Sequence, residues 1–221
     1  MIPVTDKIYR NGGNPEVLSM IPPGTRTVLD VGCGAGDNAA ALAARGVVVD
    51  GITLSKDEMM MSRRFCRDVK LHNLEQGLPV GLGADYDCAI CSHVLEHICW
   101  PDRLLSDLAR LLRPQGGVLI IALPNLLYYK NRWRLLQGHF DYTDSGLMDN
   151  THFRWYTFNT ARQLLERNGF VVEQAFGDGS IPLWPFRRLL GKRLAKGIDG
   201  MATRVWPGLF GYQMVYLARP A

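Results

Sequence analysis

Residues 28–38 read "VLDVGCGAGDN". An aliphatic run carrying Asp30 ends in Gly32, and Gly34 and Gly36 follow at alternate positions before a helical pattern, "DNAAALAARG" (37–46). Glycines at such a junction permit positive φ and let a ligand lie against bare backbone at the start of a helix. A plain strand-to-helix turn has little use for three of them. The G-x-G-x-G spacing differs from the G-x-G-x-x-G of a dinucleotide fold, and the lysine of a phosphate-binding P-loop is missing. The stretch therefore predicts a cofactor cradle after the first strand of a parallel α/β sheet.

Working outward from it, apolar strand-like runs alternate with helical patterns. Strands are expected at 26–32, 47–54, 68–73, 86–92, 118–125, 170–176 and 209–219. Helices are expected after the glycine loop, from Ser55, over 101–112 with Pro101 in its first turn, and over 160–169. Ser55-Lys56-Asp57-Glu58 has the spacing of a capping box. Residues 125–156 break the rhythm. They are aromatic and polar, too long for an ordinary connection, and predict a lid or substrate-binding insertion after strand five. A basic segment, 180–208, precedes the last strand. The length suits one domain over 1–221.

The composition, 47% hydrophobic and 21% charged, is that of a soluble globular enzyme. The net charge of +4 is too small to suggest nucleic acid as a partner. Its excess falls late, at Arg187, Arg188, Lys192, Arg193, Lys196 and Arg204, which reads first as a solvated face and second as a membrane-surface or acidic-partner patch. With neither a signal core nor a spanning segment, a cytoplasmic location is expected. Five cysteines fit reduced thiols. Cys88 and Cys91 form C-x-x-C, but on a strand they face opposite ways, so both are expected in the core.

"SHVLEH" (92–97) contains His93-x-x-Glu96-His97, the H-x-x-E-H pattern of a zinc-protease family. That chemistry needs a regular helix and a third ligand. Here the segment follows a strand directly, Pro101 starts the next helix, and no downstream stretch stands out as the third ligand. No metal is assigned.

The glycine loop resembles motif I of class I S-adenosylmethionine-dependent methyltransferases. The resemblance extends over residues 86–125, "YDCAICSHVLEHICWPDRLLSDLARLLRPQGGVLIIALPN", which looks like the family's fourth strand, following loop, helix and fifth strand. It implies a Rossmann-like α/β fold with a mostly parallel seven-stranded sheet, an antiparallel last strand and a lid insertion. It implies S-adenosylmethionine as cofactor and S-adenosylhomocysteine as product. Carried over by position, Asp30, Gly32, Cys33 and Gly34 would hold the methionine end, and Thr53 and Leu54 would face the ribose. Asn73 and Leu74 would meet adenine, and Ser92, His93 and Tyr9 would complete the cofactor contacts. Thr53 and Asn73 depart from the family, which commonly has an acid at each position. "GITLSKDE" (51–58) also resembles the strand end of lipid cyclopropane synthases.

Residues 138–157, "GHFDYTDSGLMDNTHFRWYT", resemble a segment of bacterial methyltransferases associated with surface glycans. The expected partner is a small hydroxylated acceptor, such as a sugar or glycan intermediate, contacted by Tyr142 and Arg154. His152, then His97, is the candidate base. Structural roles stay open for His97, as a hydrogen bond within its loop, and for Arg154, as the partner of a carboxylate in the insertion. A rival reading is non-catalytic: "NLEQGL" (73–78), "LPN" (123–125) and "DNTH" (149–152) resemble MetW-like proteins, partners of a homoserine acyltransferase. A lipid-directed methyltransferase is the third reading.

Overall fold

The computed structural model describes residues 12–182 and 187–221, the side chains of 187–190 and 192 excepted; Tyr9 lies outside them. In chain order the elements are α1 (Pro15–Ser19), β1 (Thr27–Val31), α2 (Asp37–Ala43), β2 (Val48–Thr53), α3 (Lys56–Ser62), β3 (Asp68–Leu71) and β4 (Cys88–Ser92). There follow α4 (Pro101–Leu112), β5 (Val118–Pro124), α5 (Tyr129–Leu136), α6 (Phe158–Arg167), β6 (Phe170–Gly179), α7 (Arg187–Val205), α8 (Pro207–Phe210) and β7 (Gly211–Pro220).

The seven strands form one sheet in the order β3-β2-β1-β4-β5-β7-β6, and β7 alone runs antiparallel to its neighbours. This is the expected Rossmann-like architecture. The order reverses between β1 and β4, and in open α/β sheets the crevice outside the strand ends at that switch point is where ligands bind. The glycine loop and "SHVLEH" follow these two strands.

Strand alternation divides the core between the two faces of the sheet. Cys88 and Ile90 pack on the face of Val28, Ile120 and Val215, whereas Ala89 and Cys91 pack with Leu29, Ile121 and Tyr216 on the other. The two cysteines of the C-x-x-C therefore lie on opposite sides, as period two requires. Helix α4 buries Leu104, Leu105, Leu108 and Leu112, the stripe of a helix with one apolar face.

Three local features differ from expectation. Ser55 does accept from Glu58 N, but the Glu58 carboxylate accepts from Thr53 Oγ1 at 2.6 Å instead of closing the box on its cap. Burial at the strand end makes the hydroxyl the better partner. The insertion contains a helix, α5, and the basic segment contains α7 and leads into α8; the polar sequence of α5 and the glycines of α7 hide the helical period. Within α7, Gly191 breaks the helix at φ 70°, ψ 154°.

Candidate active site

The glycine loop has the backbone its residue types imply. Gly32 sits at φ 77°, and a Cβ there would lie 2.5 Å from Val94 Cγ2. Gly36 caps α2 at φ 88°, with the Ser62 backbone 2.9 Å from the position a Cβ would take. The N–H groups of Gly32 and Cys33 both donate to Ile52 O at 2.9 Å, tying the loop to β2. Under it, Asp30 is 1% exposed and neither carboxylate oxygen has a hydrogen-bond partner. Burial alone raises its pKa to about 7. An uncompensated acid beneath a bare-backbone loop fits a cationic group bound above it, such as the ammonium of a methionine moiety.

At the end of β2, Thr53 is buried with its hydroxyl turned to Glu58, itself buried on α3. A carboxylate from α3 thus stands at the end of β2. Leu54 is exposed beside it. Asn73 stands at the adenine position, but its Oδ1 accepts from Glu75 N at 3.0 Å and caps the turn Leu74–Gln76.

At the end of β4, His93 adopts φ 57°, the one positive φ among the described non-glycine residues. A hydrogen-bond chain places an acceptor at each of its ring nitrogens. Asn14 Oδ1 accepts from Val17 N as the cap of α1, so Asn14 Nδ2 is the donor toward Ser92 Oγ and Gln213 Oε1. Gln213 Oε1 is therefore an acceptor, and Gln213 Nε2 donates to Asp178. His93 Nε2 lies 3.1 Å from that Oε1, and Nδ1 lies 3.2 Å from Glu96 Oε1. With acceptors on both sides, the charged form of His93 donates from both nitrogens. Burial opposes the resulting charge, but the Glu96 carboxylate and Gln213 outweigh it and raise the pKa. The arrangement favours the charged form of His93, which has no lone pair for a base.

The insertion is stitched onto the same loop. Glu96 O accepts from Phe153 N and Arg154 N at 2.9 and 3.1 Å. His97 Nδ1 is 3.2 Å from Thr151 O, and His152 Nδ1 is 3.2 Å from Leu147 O. His97 Nδ1 also lies 3.1 Å from Thr151 Oγ1. The His152 ring donates from Nδ1 to its carbonyl, leaving the lone pair on Nε2. The two rings meet edge to face at 4.7 Å, and His152 also packs on Trp155 at 5.4 Å. Burial lowers the His152 pKa, so the imidazole is neutral and basic near pH 7.

Glu96, His97 and His152 present ligand atoms within 4.8 Å of one another. Glu96 is fully buried and its Oε2 has no hydrogen-bond partner. Two imidazoles and a carboxylate suit a zinc-type ion, so this group could hold one. This set is not the H-x-x-E-H ligand set, since His93 is turned to Glu96 and Gln213 and lies outside the cluster; His152 comes from the insertion, and no spacing rule links it to His97.

The structure treats the two expected substrate contacts differently. Arg154 donates through Nε to Cys99 O at 2.5 Å and stacks over Trp100 at 5.3 Å, so it clasps the loop rather than a carboxylate of the insertion. Tyr142 is exposed and packs on Phe140 and Trp155, whose ring connects it to His152. Gln213 and Asn14, which orient His93, carry no sequence signal; one lies between Tyr212 and Met214 in a strand and the other precedes a proline, and neither has a motif.

Comparison with known proteins places the site in context. Residues 7–175 match a family model described as a methyltransferase domain. A ubiquinone biosynthesis O-methyltransferase of Proteus mirabilis is 29% identical over 139 residues, 58% of this chain and 53% of that protein. The chain spans about half the length of the curated relatives it matches. A S-adenosylmethionine-dependent methyltransferase from Archaeoglobus fulgidus superposes with a TM-score of 0.58 at 22% identity, covering 88% of this chain and 86% of that one. Magnesium protoporphyrin IX methyltransferase from Synechocystis, with bound S-adenosylhomocysteine, gives 0.53 at 19% identity over 90% of this chain and 75% of that one. With its glycine loop, switch-point crevice and a family match over most of its length, the chain belongs to the methyltransferase domain family.

Proposed function

We propose that the protein is an S-adenosylmethionine-dependent enzyme that O-methylates a small hydroxylated acceptor, of which a sugar or glycan intermediate is one class. The observation that carries this reading is the neutral, buried His152, held by Leu147 O within the insertion and packed against His97 of the loop that follows β4. The relatives named as O-methyltransferases support an oxygen acceptor.

The cofactor, when bound, supplies a methyl group on a sulfonium. Everything else falls to the chain. Gly32 and Gly34 give it bare backbone, Asp30 offsets its ammonium, and Thr53 with Glu58 faces its ribose. Binding and alignment carry most of the rate, since orientation of two reactants reaches effective molarities on the order of 10⁵ M or more. His152 Nε2 takes the acceptor proton, a contribution of about 10²–10⁴-fold. The Glu96 carboxylate favours the imidazolium so formed. His93, held toward its charged form, stays out of the proton transfer.

Calorimetry with S-adenosylmethionine and S-adenosylhomocysteine, followed by transfer of labelled methyl to a panel of sugars and phenols, tests the reading. Binding of both, with the product tighter, and His152→Ala reducing turnover at least 100-fold while leaving cofactor affinity intact, is the expected result. Folded protein that binds neither nucleoside would end the enzyme reading in favour of a non-catalytic partner.

A further inference from the structure

Helix α5 reverses the usual amphipathic rule. Asn131 is its one buried residue, donating to Leu126 O, whereas Trp133 is 64% and Leu136 80% exposed. Those two lie three apart on one side, and exposed Phe140 follows them. Lys130 and Arg132 flank the apolar side, Arg134 pairs with Asp141 at 2.9 Å, and residues 125–140 themselves contain no acid. Helix α7 repeats the pattern. Ala195 and Thr203 face inward, and Leu194, Met201 and Val205 lie exposed along one stripe beside exposed Arg193 and Arg204. Exposed Trp206 continues it. The one acid of α7, Asp199, accepts from Ile181 N.

A groove of about 510 Å³ joins the start of α5 to the α7–α8 junction across the first turn of α6, lined by Leu127, Arg132, Phe158, Val205, Trp206 and Leu209. Scattered exposed leucines need no explanation, but exposed apolar stripes that end on one groove mark an interaction site. The mixture decides its occupant. Tryptophan and aliphatic tips beside a row of lysines and arginines match an interfacial helix, whose apolar side enters the acyl boundary while its cations meet headgroup phosphates. Each such cation contributes about 1 kcal/mol near an anionic bilayer. No described helix is long and apolar enough to cross a membrane, so the contact is with the surface.

We propose that the outer face of α5 and the exposed edge of α7–α8 dock together on an anionic phospholipid bilayer. The contact is independent of which acceptor is methylated.

The test is co-sedimentation of the full chain with vesicles of phosphatidylcholine alone and of an equal mixture with phosphatidylglycerol. Brominated acyl chains in the second set report insertion of tryptophan. Expected are pelleting with the anionic vesicles only and bromine quenching that Trp133→Phe with Trp206→Phe removes. Trp133→Ser with Leu136→Ser, and separately Met201→Ser with Val205→Ser, should each weaken partition at least tenfold while cofactor binding persists. All four sites are exposed, so folding is retained. Absence of pelleting overturns the proposal. So does pelleting without quenching, which would be charge attraction alone, and so does binding to polyglutamate in place of vesicles, which would indicate an acidic protein partner.

Discussion

Asp30 offers the sharpest quantitative test, because its carboxyl is walled in by protein with neither oxygen hydrogen-bonded. Burial places its folded pKa at about 7, whereas an unfolded aspartate titrates near 4. Between those values the folded protein keeps a proton that the unfolded chain has released. Stability therefore falls as pH rises through the window from about 4 to about 7, and the loss is complete above it. At about 1.4 kcal/mol per pH unit the penalty approaches 4 kcal/mol as an upper bound. Asp30→Asn removes the ionisation but leaves an amide to be hydrogen-bonded, a constant cost of about 1–3 kcal/mol. The stability of the variant relative to the parent should thus climb by roughly 2–4 kcal/mol between pH 4.5 and pH 8, measured by urea unfolding of the cofactor-free proteins at intervals across that range. In the same variant, affinity for S-adenosylmethionine should fall at least tenfold, since the charge that offsets its ammonium is gone. A parent–variant difference that stays level within about 0.5 kcal/mol across the range would refute the account of a buried, uncompensated carboxyl.

Gly32→Ala should cost about 2–4 kcal/mol, from the left-handed backbone and the 2.5 Å approach to Val94, and a thermal scan with an unmoved midpoint would contradict it. Glu96→Gln should lower the pKa of His93, read by proton NMR of the imidazole, because the carboxylate is what overcomes its burial. The same pair predicts a parent protein whose His93–Glu96 contribution is complete below about pH 6.5 and fades as pH passes the folded pKa of His93. Arg154→Ala should destabilise by about 1–2 kcal/mol through the lost bond to Cys99 O and the Trp100 stack, with cofactor affinity unchanged. A matching loss of cofactor affinity would move Arg154 into the binding site.

The sheet was readable because its signals are local and periodic. Strands such as 86–92 and 118–125 announce themselves by continuous apolar runs, and the glycine triplet cannot be an ordinary turn once Gly32 and Gly36 are seen to need positive φ. The C-x-x-C placement followed from period two alone. Helix α5 was not readable, since its apolar residues face solvent and its buried one is an asparagine. Nor were the partners of the histidines. His97 and His152 meet, and His93 gains an acceptor at each nitrogen, only when β4, β7, α1 and the insertion converge, bringing Gln213 and Asn14 to a loop more than a hundred positions from one of them. Sequence by itself determined the architecture and the cradle, because backbone conformation is set by neighbours. Which imidazole can accept a proton was decided by tertiary structure, because protonation depends on which acceptors the fold places at each nitrogen.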